Sequence, residues 1–147
     1  MSLEEYNSKR NFNETSEPSG GEDKEDIFVV QEHWASSHHF DFRIEIDGVL
    51  KSWAVPKGIP EEKGTKRLAI ATEDHPLDYA DFEGTIPEGE YGAGEVEIFD
   101  KGDYNLHEEK EDKITFELKG ERLKGNFALI KMKGQEDNWL IFKTDDE

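Results

Sequence analysis

The sequence predicts a mainly all-β domain: a compact antiparallel β-barrel with a surface groove, short helical turns and a flexible N-terminal arm. Three observations carry this. Short runs alternate apolar and polar residues and are rich in β-branched and aromatic types. No window holds a helical apolar stripe over three turns. Gly, Asp or Pro punctuates several of the intervals between runs. At 147 residues the chain is long enough for one domain with its own core and short for two. At least seven strand-length runs in a domain of that size suggest a closed barrel or a sandwich.

Taken in order, residues 1–26 include "NETSEPSGGEDKED", which combines Ser, Gly, Pro and acids without an apolar residue. Such a stretch cannot offset its ordering entropy by burial, so it reads as a flexible acidic arm, with the barrel domain over 27–147. From Ile27 the strand-like runs follow: "IFVVQEH", "HFDFRIEID", "VLKSWAV", "RLAIATED", "EVEIFD", "KITFEL", "NFALIKM" and "NWLIFK". Between them, "EEKGTK" and "PLDYADF" are each suited to a single helical turn.

The run "HWASSHHFDFR" has a sharp parity. Strand alternation sets His39, Asp41, Arg43 and Glu45 on one face, and Phe40, Phe42, Ile44 and Ile46 on the other. Asp47-Gly48 is a strong two-residue hairpin turn. Pairing about it predicts Ile46 opposite Val49, Phe42 opposite Trp53 and Phe40 opposite Val55, with Ser52 and Ala54 as small partners of Arg43 and Asp41. That leaves room above the polar side chains. Lys51 opposite Ile44 fits this register less well. The same alternation in "KRLAIATEDH" groups Arg67, Glu73 and His75 with Ala69 and Ala71, and turns Leu68 and Ile70 the other way, so a second charged face cleared of bulk is expected.

Composition bounds the chemistry. The chain has no cysteine, so thiolate nucleophiles, disulfides and zinc–cysteine clusters are excluded, and any metal must bind through His and carboxylate. No apolar run is long enough for a signal segment or a membrane span, which predicts a cytoplasmic protein without a membrane partner. The net charge is −18. Acids outnumber bases by 8 to 3 over residues 1–26, by 15 to 6 over 27–99 and by 13 to 9 over 100–147, so the acidity is general. A nucleic-acid binder usually carries the opposite sign. If a polyanion is bound, local bases and a divalent cation have to overcome the field.

His39 and Asp41 project in parallel, and His33 lies at the end of the preceding strand. Two imidazoles and a carboxylate make a three-point site with open positions, suited to manganese, iron or zinc. The same spacing also fits a polar face that simply meets water. His38 has the wrong parity for the group. Arg43, on the same face, suits bidentate binding of a tetrahedral oxyanion beside a metal, although a cross-strand ion pair would also account for it. His75 is a candidate acid or transition-state donor and Tyr79 a phosphate hydrogen-bond donor. The Gly-rich 86–94 stretch lacks the Lys-Ser/Thr of a nucleotide loop and reads as a tight turn. Glu61 and Glu62 read as solvated loop charge.

The stretches "FVVQEHWASSHHFDFRIEIDGVLKSWAVPKGIP", "RLAIATEDHPLDYADFEGTIPEGEYGAGEVEIFDKG" and "ERLKGNFALIKMK" with "NWLIFK" resemble the 3′-phosphoesterase domain of DNA ligase D and its stand-alone bacterial and archaeal relatives. The similarity runs from about Ile27 to Lys143 and reaches weakly into "RNFNETSEP". It implies a β-barrel with a groove, and a manganese-dependent enzyme that heals 3′ ends of nucleic acid, with Co2+ or Zn2+ as other candidate ions. A phosphodiesterase step would remove a terminal ribonucleoside and a phosphomonoesterase step a 3′-phosphate. By motif matching, the resemblance implies His33, His39 and Asp41 as metal ligands, and Arg43, His75 and Tyr79 around the scissile phosphate. It also implies Lys57 and Arg67 as bases and Glu73 as an acid of the groove, and Arg10 and Glu17 in the monoesterase step. Asn11 stands where the family usually has Asp. The implied partners are a primer-template with a 3′-ribonucleotide or 3′-phosphate, and a DNA ligase and polymerase of an end-joining system; the chain is then a stand-alone version or a piece of a larger protein. Two other readings share parts of the pattern: a non-haem iron oxygenase using the two histidines and the carboxylate, and a non-catalytic acidic barrel that docks a repair ligase.

Overall fold

The computed structural model of the protein describes residues 26–87, 93–134 and 136–144. The predicted arm, with Arg10, Asn11 and Glu17, lies outside the described residues, as does the centre of the Gly-rich stretch. Among the described residues nine strands form a single antiparallel sheet: β1 (Ile27–Trp34), β2 (His38–Ile46), β3 (Val49–Val55), β4 (Lys66–Ala71), β5 (Gly84–Ile86), β6 (Gly94–Lys110), β7 (Lys113–Lys119), β8 (Lys124–Lys131) and β9 (Asn138–Lys143). In the order β1-β2-β3-β4-β9-β8-β7-β6, with β6 returning to β1, eight of them close a barrel. The short β5 pairs with the first residues of β6. Among the described residues no helix is long and apolar enough to cross a membrane.

The Asp47-Gly48 turn is present, with φ of 55° and 84° at its two residues. Both angles are left-handed, as a two-residue hairpin that follows the strand twist requires. The register it sets pairs Ile46 with Val49, Phe42 with Trp53, Phe40 with Val55, Arg43 with Ser52 and Asp41 with Ala54, as alternation predicts. Lys51 does lie opposite Ile44, and it borders a shallow groove with Glu109 and Asp137. The 17-residue β6 is much longer than the "EVEIFD" run that marks it in the sequence. Its first part pairs with β1 and its last part with β7.

The barrel interior is a packed core. Phe42 stacks on Phe116 at 5.5 Å, Phe116 on Phe127 at 6.2 Å, and Phe28, Ile44, Leu118, Leu129 and Ile141 are buried around them. Small barrels are filled in this way by inward-facing side chains. Here the structure corrects the reading of β4. Ala71 pairs with Trp53 and Ala69 with Trp139, so the two alanines face inward, where the tryptophans fill the space they leave. It is Leu68, 39% exposed, that turns outward. Alanine suits either face of a wall, so alternation alone could not assign it, and the bulk of its cross-strand partners does. Of the two expected helical turns, "PLDYADF" forms a 3-10 turn over Leu77–Asp81, whereas "EEKGTK" forms none.

A second, smaller core lies on the outside of the wall. Val29 and Leu50 project outward from β1 and β3 and pack under Leu77, Tyr79, Ala80 and Phe82 of the 3-10 turn, together with Ile86 and Val96. The segment after β4 therefore folds down over the outer face of β1–β3. His75 ties it to the wall through a two-way backbone bridge with Leu50.

Candidate metal centre

The parity that sends Phe28, Val30, Phe42 and Ile44 inward sends Gln31, His33, Asp41 and Arg43 outward, beneath this covering segment. β1 and β2 place His33 directly opposite His39, and Gln31 opposite Asp41. The three predicted ligands converge: their donor atoms all lie within 4.8 Å of one another. Asp41 sits between the rings, with Oδ2 3.4 Å from His33 Nδ1 and Oδ1 3.2 Å from His39 Nε2. Donors that share one ion at bonds of roughly 2.1 Å are separated by about 3 Å when adjacent in its coordination shell. The donor set and its spacing thus fit a first-row divalent ion.

The surroundings orient these groups. His39 Nδ1 lies 2.9 Å from the carbonyl of Ser37, which can only accept, so the proton belongs on Nδ1 and Nε2 is turned to Asp41. Burial alone would raise the Asp41 pKa. The Arg43 guanidinium, with hydrogen bonds from His33 and His39, outweighs it and holds the carboxyl well below the usual carboxylate range. His39 responds in the opposite sense, since its hydrogen bond to Asp41 lifts the imidazole above its ordinary 6.5 against the effect of burial.

Arg43 is buried, with Nη2 3.5 Å from Asp41 Oδ2 and Nη1 3.3 Å from His75 Nδ1. Its guanidinium lies over the Tyr79 ring, 4.9 Å from the centroid, and Tyr79 meets the His75 ring edge-on at 4.8 Å. The residue that fixes it is one that sequence reasoning missed. Gln31, wholly buried, accepts from Arg43 Nε at 2.7 Å and donates to the carbonyls of Tyr79 and Phe82 at 2.8 and 3.1 Å. One amide thereby ties the arginine and the covering segment to the wall. The signal was available, because parity sets Gln31 on the face of His33 and opposite Asp41.

These groups line a cavity of about 320 Å³ that includes His33, His39, Asp41, Arg43, His75 and Tyr79. Ala54 and Glu73 also line it, so the small partner predicted opposite Asp41 does open space there. Glu73 and His75 reach the cavity because the chain leaves the sheet after Ala71 and turns over the outer face. His75 Nδ1 lies 3.0 Å from the carbonyl of Glu73. Lys57 and Arg67 stand elsewhere. Arg67 donates through Nη1 to the carbonyls of Lys57 and Gly58 at 2.8 and 3.1 Å, bracing the loop after β3, and neither residue is in the cavity lining. His38, set aside on parity, is hydrogen-bonded to Glu32 at 2.8 Å on the other side of the hairpin.

Fold and site together define a closed β-barrel that carries two imidazoles, a carboxylate and a buried arginine in one cavity on its outer wall. The model of the family described as the DNA ligase D 3′-phosphoesterase domain matches residues 31–131. The chain is 47% identical over 98% of its length to the multifunctional non-homologous end joining protein LigD of Pseudomonas aeruginosa. It is 50% identical over 88% to the multifunctional non-homologous end joining DNA repair protein LigD of Mycobacterium tuberculosis, and 42% identical over 99% to the LigD protein of Mycolicibacterium smegmatis. The chain belongs to the DNA ligase D 3′-phosphoesterase domain family. It spans about a fifth of the length of these relatives: 19%, 17% and 21%.

Proposed function

We propose that the protein is a manganese-dependent phosphoesterase that heals 3′ ends of nucleic acid, with a phosphodiesterase step on a terminal ribonucleoside and a phosphomonoesterase step on a 3′-phosphate. The observation that carries this reading is the shared cavity: a buried guanidinium opens into the same space as a His-His-Asp donor set, 3.5 Å from its carboxylate. His33, His39 and Asp41 would hold the ion. When bound, manganese supplies Lewis-acid charge at a phosphate oxygen.

The chain's own residues account for the rest of the chemistry. With Nε on Gln31, Nη1 toward His75 and Nη2 toward Asp41, the guanidinium keeps a second hydrogen on each terminal nitrogen. Those two N–H groups suit a bidentate grip on non-bridging phosphate oxygens, and being held in advance they need no reorganisation as charge develops. Tyr79 supports the arginine through its ring and offers a phenol to the phosphate. His75, whose Nδ1 lies 3.0 Å from the Glu73 carbonyl, is the proton donor to the leaving oxygen as water attacks phosphorus: the 5′ oxygen of the terminal ribonucleoside in the first step and the 3′ oxygen of the strand in the second. Glu73 lines the same space. In this reading Arg10 and Glu17 serve the monoesterase step, Lys57 and Arg67 steer the strand, and the healed 3′-hydroxyl passes to a ligase or polymerase of an end-joining system in the cytoplasm.

The test is to incubate the protein with manganese and an end-labelled primer-template bearing a single 3′-ribonucleotide. The two steps should appear as successive shifts on one gel, and both should stop on chelation. Full hydrolysis after exhaustive chelation would contradict the metal assignment, and an unchanged primer in the presence of manganese would contradict the enzyme.

A further inference from the structure

Next to the His33–His39 rung, at the tip of the β1–β2 hairpin, Trp34 and His38 form the following cross-strand pair. Their rings are 5.5 Å apart and within 13° of parallel. Trp34 is 39% exposed, an unusual degree for the largest apolar side chain. A hydrogen bond from His38 Nε2 to the Glu32 carboxylate fixes the ring plane. Contacts then run on across the barrel end: His38 to Phe40 at 5.4 Å, Phe40 to Phe99 at 5.3 Å, and Phe99 to the Arg122 guanidinium, which lies 4.1 Å from its centroid.

Two structural devices hold that line in place. Phe99 is the extra residue of a β-bulge, since Val30 pairs with Asp100 and Gln31 with Ile98. The neighbouring Asp100 is buried, and its carboxylate accepts from the backbone N–H groups of Glu121, Arg122 and Leu123 at 3.0, 3.1 and 2.8 Å. The Arg122 backbone is thus fixed, and its guanidinium is presented over Phe99. On the other side of Phe40, Gly58 leaves the ring beside Arg67, with Lys57 exposed in the same loop. Arg122, Arg67 and Lys57 thus lie along the line of rings, while the carboxylates beside it, Glu32 on His38 and Glu95 opposite Trp34, are at its hairpin end.

We infer that this rim is a stacking platform for an unpaired base of the nucleic acid whose 3′ end lies in the cavity, received by Trp34 and His38. The inference rests on the phosphoesterase reading for the position of that end. Bases present flat π faces whatever their identity, and nearby guanidinium and ammonium groups follow the phosphates, so aromatic rings interleaved with cations match the chemistry of such a strand. The platform holds the strand by its bases, independently of the reacting phosphate.

The experiment follows indole emission in the full chain with manganese. Trp53 and Trp139 are 3% and 7% exposed, so a quencher that stacks on the surface reports on Trp34. A single-stranded oligodeoxynucleotide ending in a 3′-hydroxyl should quench the emission, and an abasic oligomer of equal length should not. By anisotropy of a labelled oligonucleotide, Trp34→Ala should bind roughly tenfold more weakly and Trp34→Phe close to the parent. Equal quenching by the two oligomers, or undiminished binding by Trp34→Ala, overturns the platform. Hydrolysis of a 3′-phosphate in the same preparation separates the two readings: hydrolysis without quenching removes the platform and leaves the enzyme, whereas base-dependent quenching without hydrolysis removes the enzyme and leaves the platform.

Discussion

Arg43 donates its Nε–H to the side-chain oxygen of the wholly buried Gln31 at 2.7 Å. Gln31 makes no contact with the cavity contents in the proposed mechanism, yet it decides the angle at which the guanidinium enters. Gln31→Leu keeps the bulk and removes all of these bonds. It strands Arg43 Nε and removes a donor from the carbonyls of Tyr79 and Phe82, of which the first keeps the backbone N–H of Phe82. The expected outcome is a fall in kcat on a 3′-phosphate of at least tenfold, a loss of about 2 kcal/mol of stability, and manganese affinity close to the parent. Calorimetric titration beside steady-state kinetics would check the split. Parallel loss of metal binding would show that the amide supports the whole site.

Asp41 is the shared partner of both imidazoles and of the arginine. Asp41→Ala should weaken manganese binding by about a hundredfold or more, since two imidazoles cannot replace a three-point donor set. It should also abolish hydrolysis. Binding measured by calorimetry at parent strength would remove Asp41 from the ligand set.

The raised pKa of His39 gives the metal-free protein a definite pH response. A group whose pKa is raised by folding stabilises the fold fully below its unfolded value, here about 6.5, and that contribution is lost as pH rises through the folded value. Asp41 works the other way: its contribution is present above the ordinary carboxylate value and lost as pH falls through the depressed one. Both contributions are therefore present at about pH 5–6, and the Tm of the metal-free protein should decline from there toward alkaline pH. A divalent ion needs the neutral imidazole, so its affinity should rise over the same window and then level off. Thermal melts with and without manganese across pH would show whether the two trends oppose one another.

Gly94 opens β6 at φ 138°, and a Cβ there would run into the carbonyl of Trp34. Gly94→Ala should therefore lower the Tm by several degrees through the β1–β6 seam that closes the barrel. Manganese affinity should fall with it, because Trp34 is the chain neighbour of His33. A melt indistinguishable from the parent would show that the seam can shift to accept the methyl group.

Much of this was legible because β2 alternates from His39 to Ile46 and β3, Lys51 and Leu50 apart, follows it about the Asp47-Gly48 turn. Their register, the outward set of Asp41 and Arg43, and the small partner at Ala54 all follow from period two and one turn type. β4 was not legible in the same way. Ala69 and Ala71 are neutral between the faces, and the bulk they accommodate belongs to Trp53 and Trp139, distant in sequence. The segment over the cavity was also hidden. Glu73 and His75 arrive there through an irregular turn after the strand, which alternation does not describe. Gln31 was passed over because glutamine in a strand carries no chemical signature until its partners are known.

The wall built by β2 has chemistry on one side and packed hydrocarbon on the other, with Asp41 and Arg43 alternating with Phe42 and Ile44. Such a strand tolerates change of identity far better than change of length. Deleting one residue between Phe40 and Ile44 would send charged groups into the barrel interior and phenyl rings into the cavity at a single stroke. In descendants of this sequence, substitutions can accumulate along the strand, while insertions and deletions are confined to the loops at its ends.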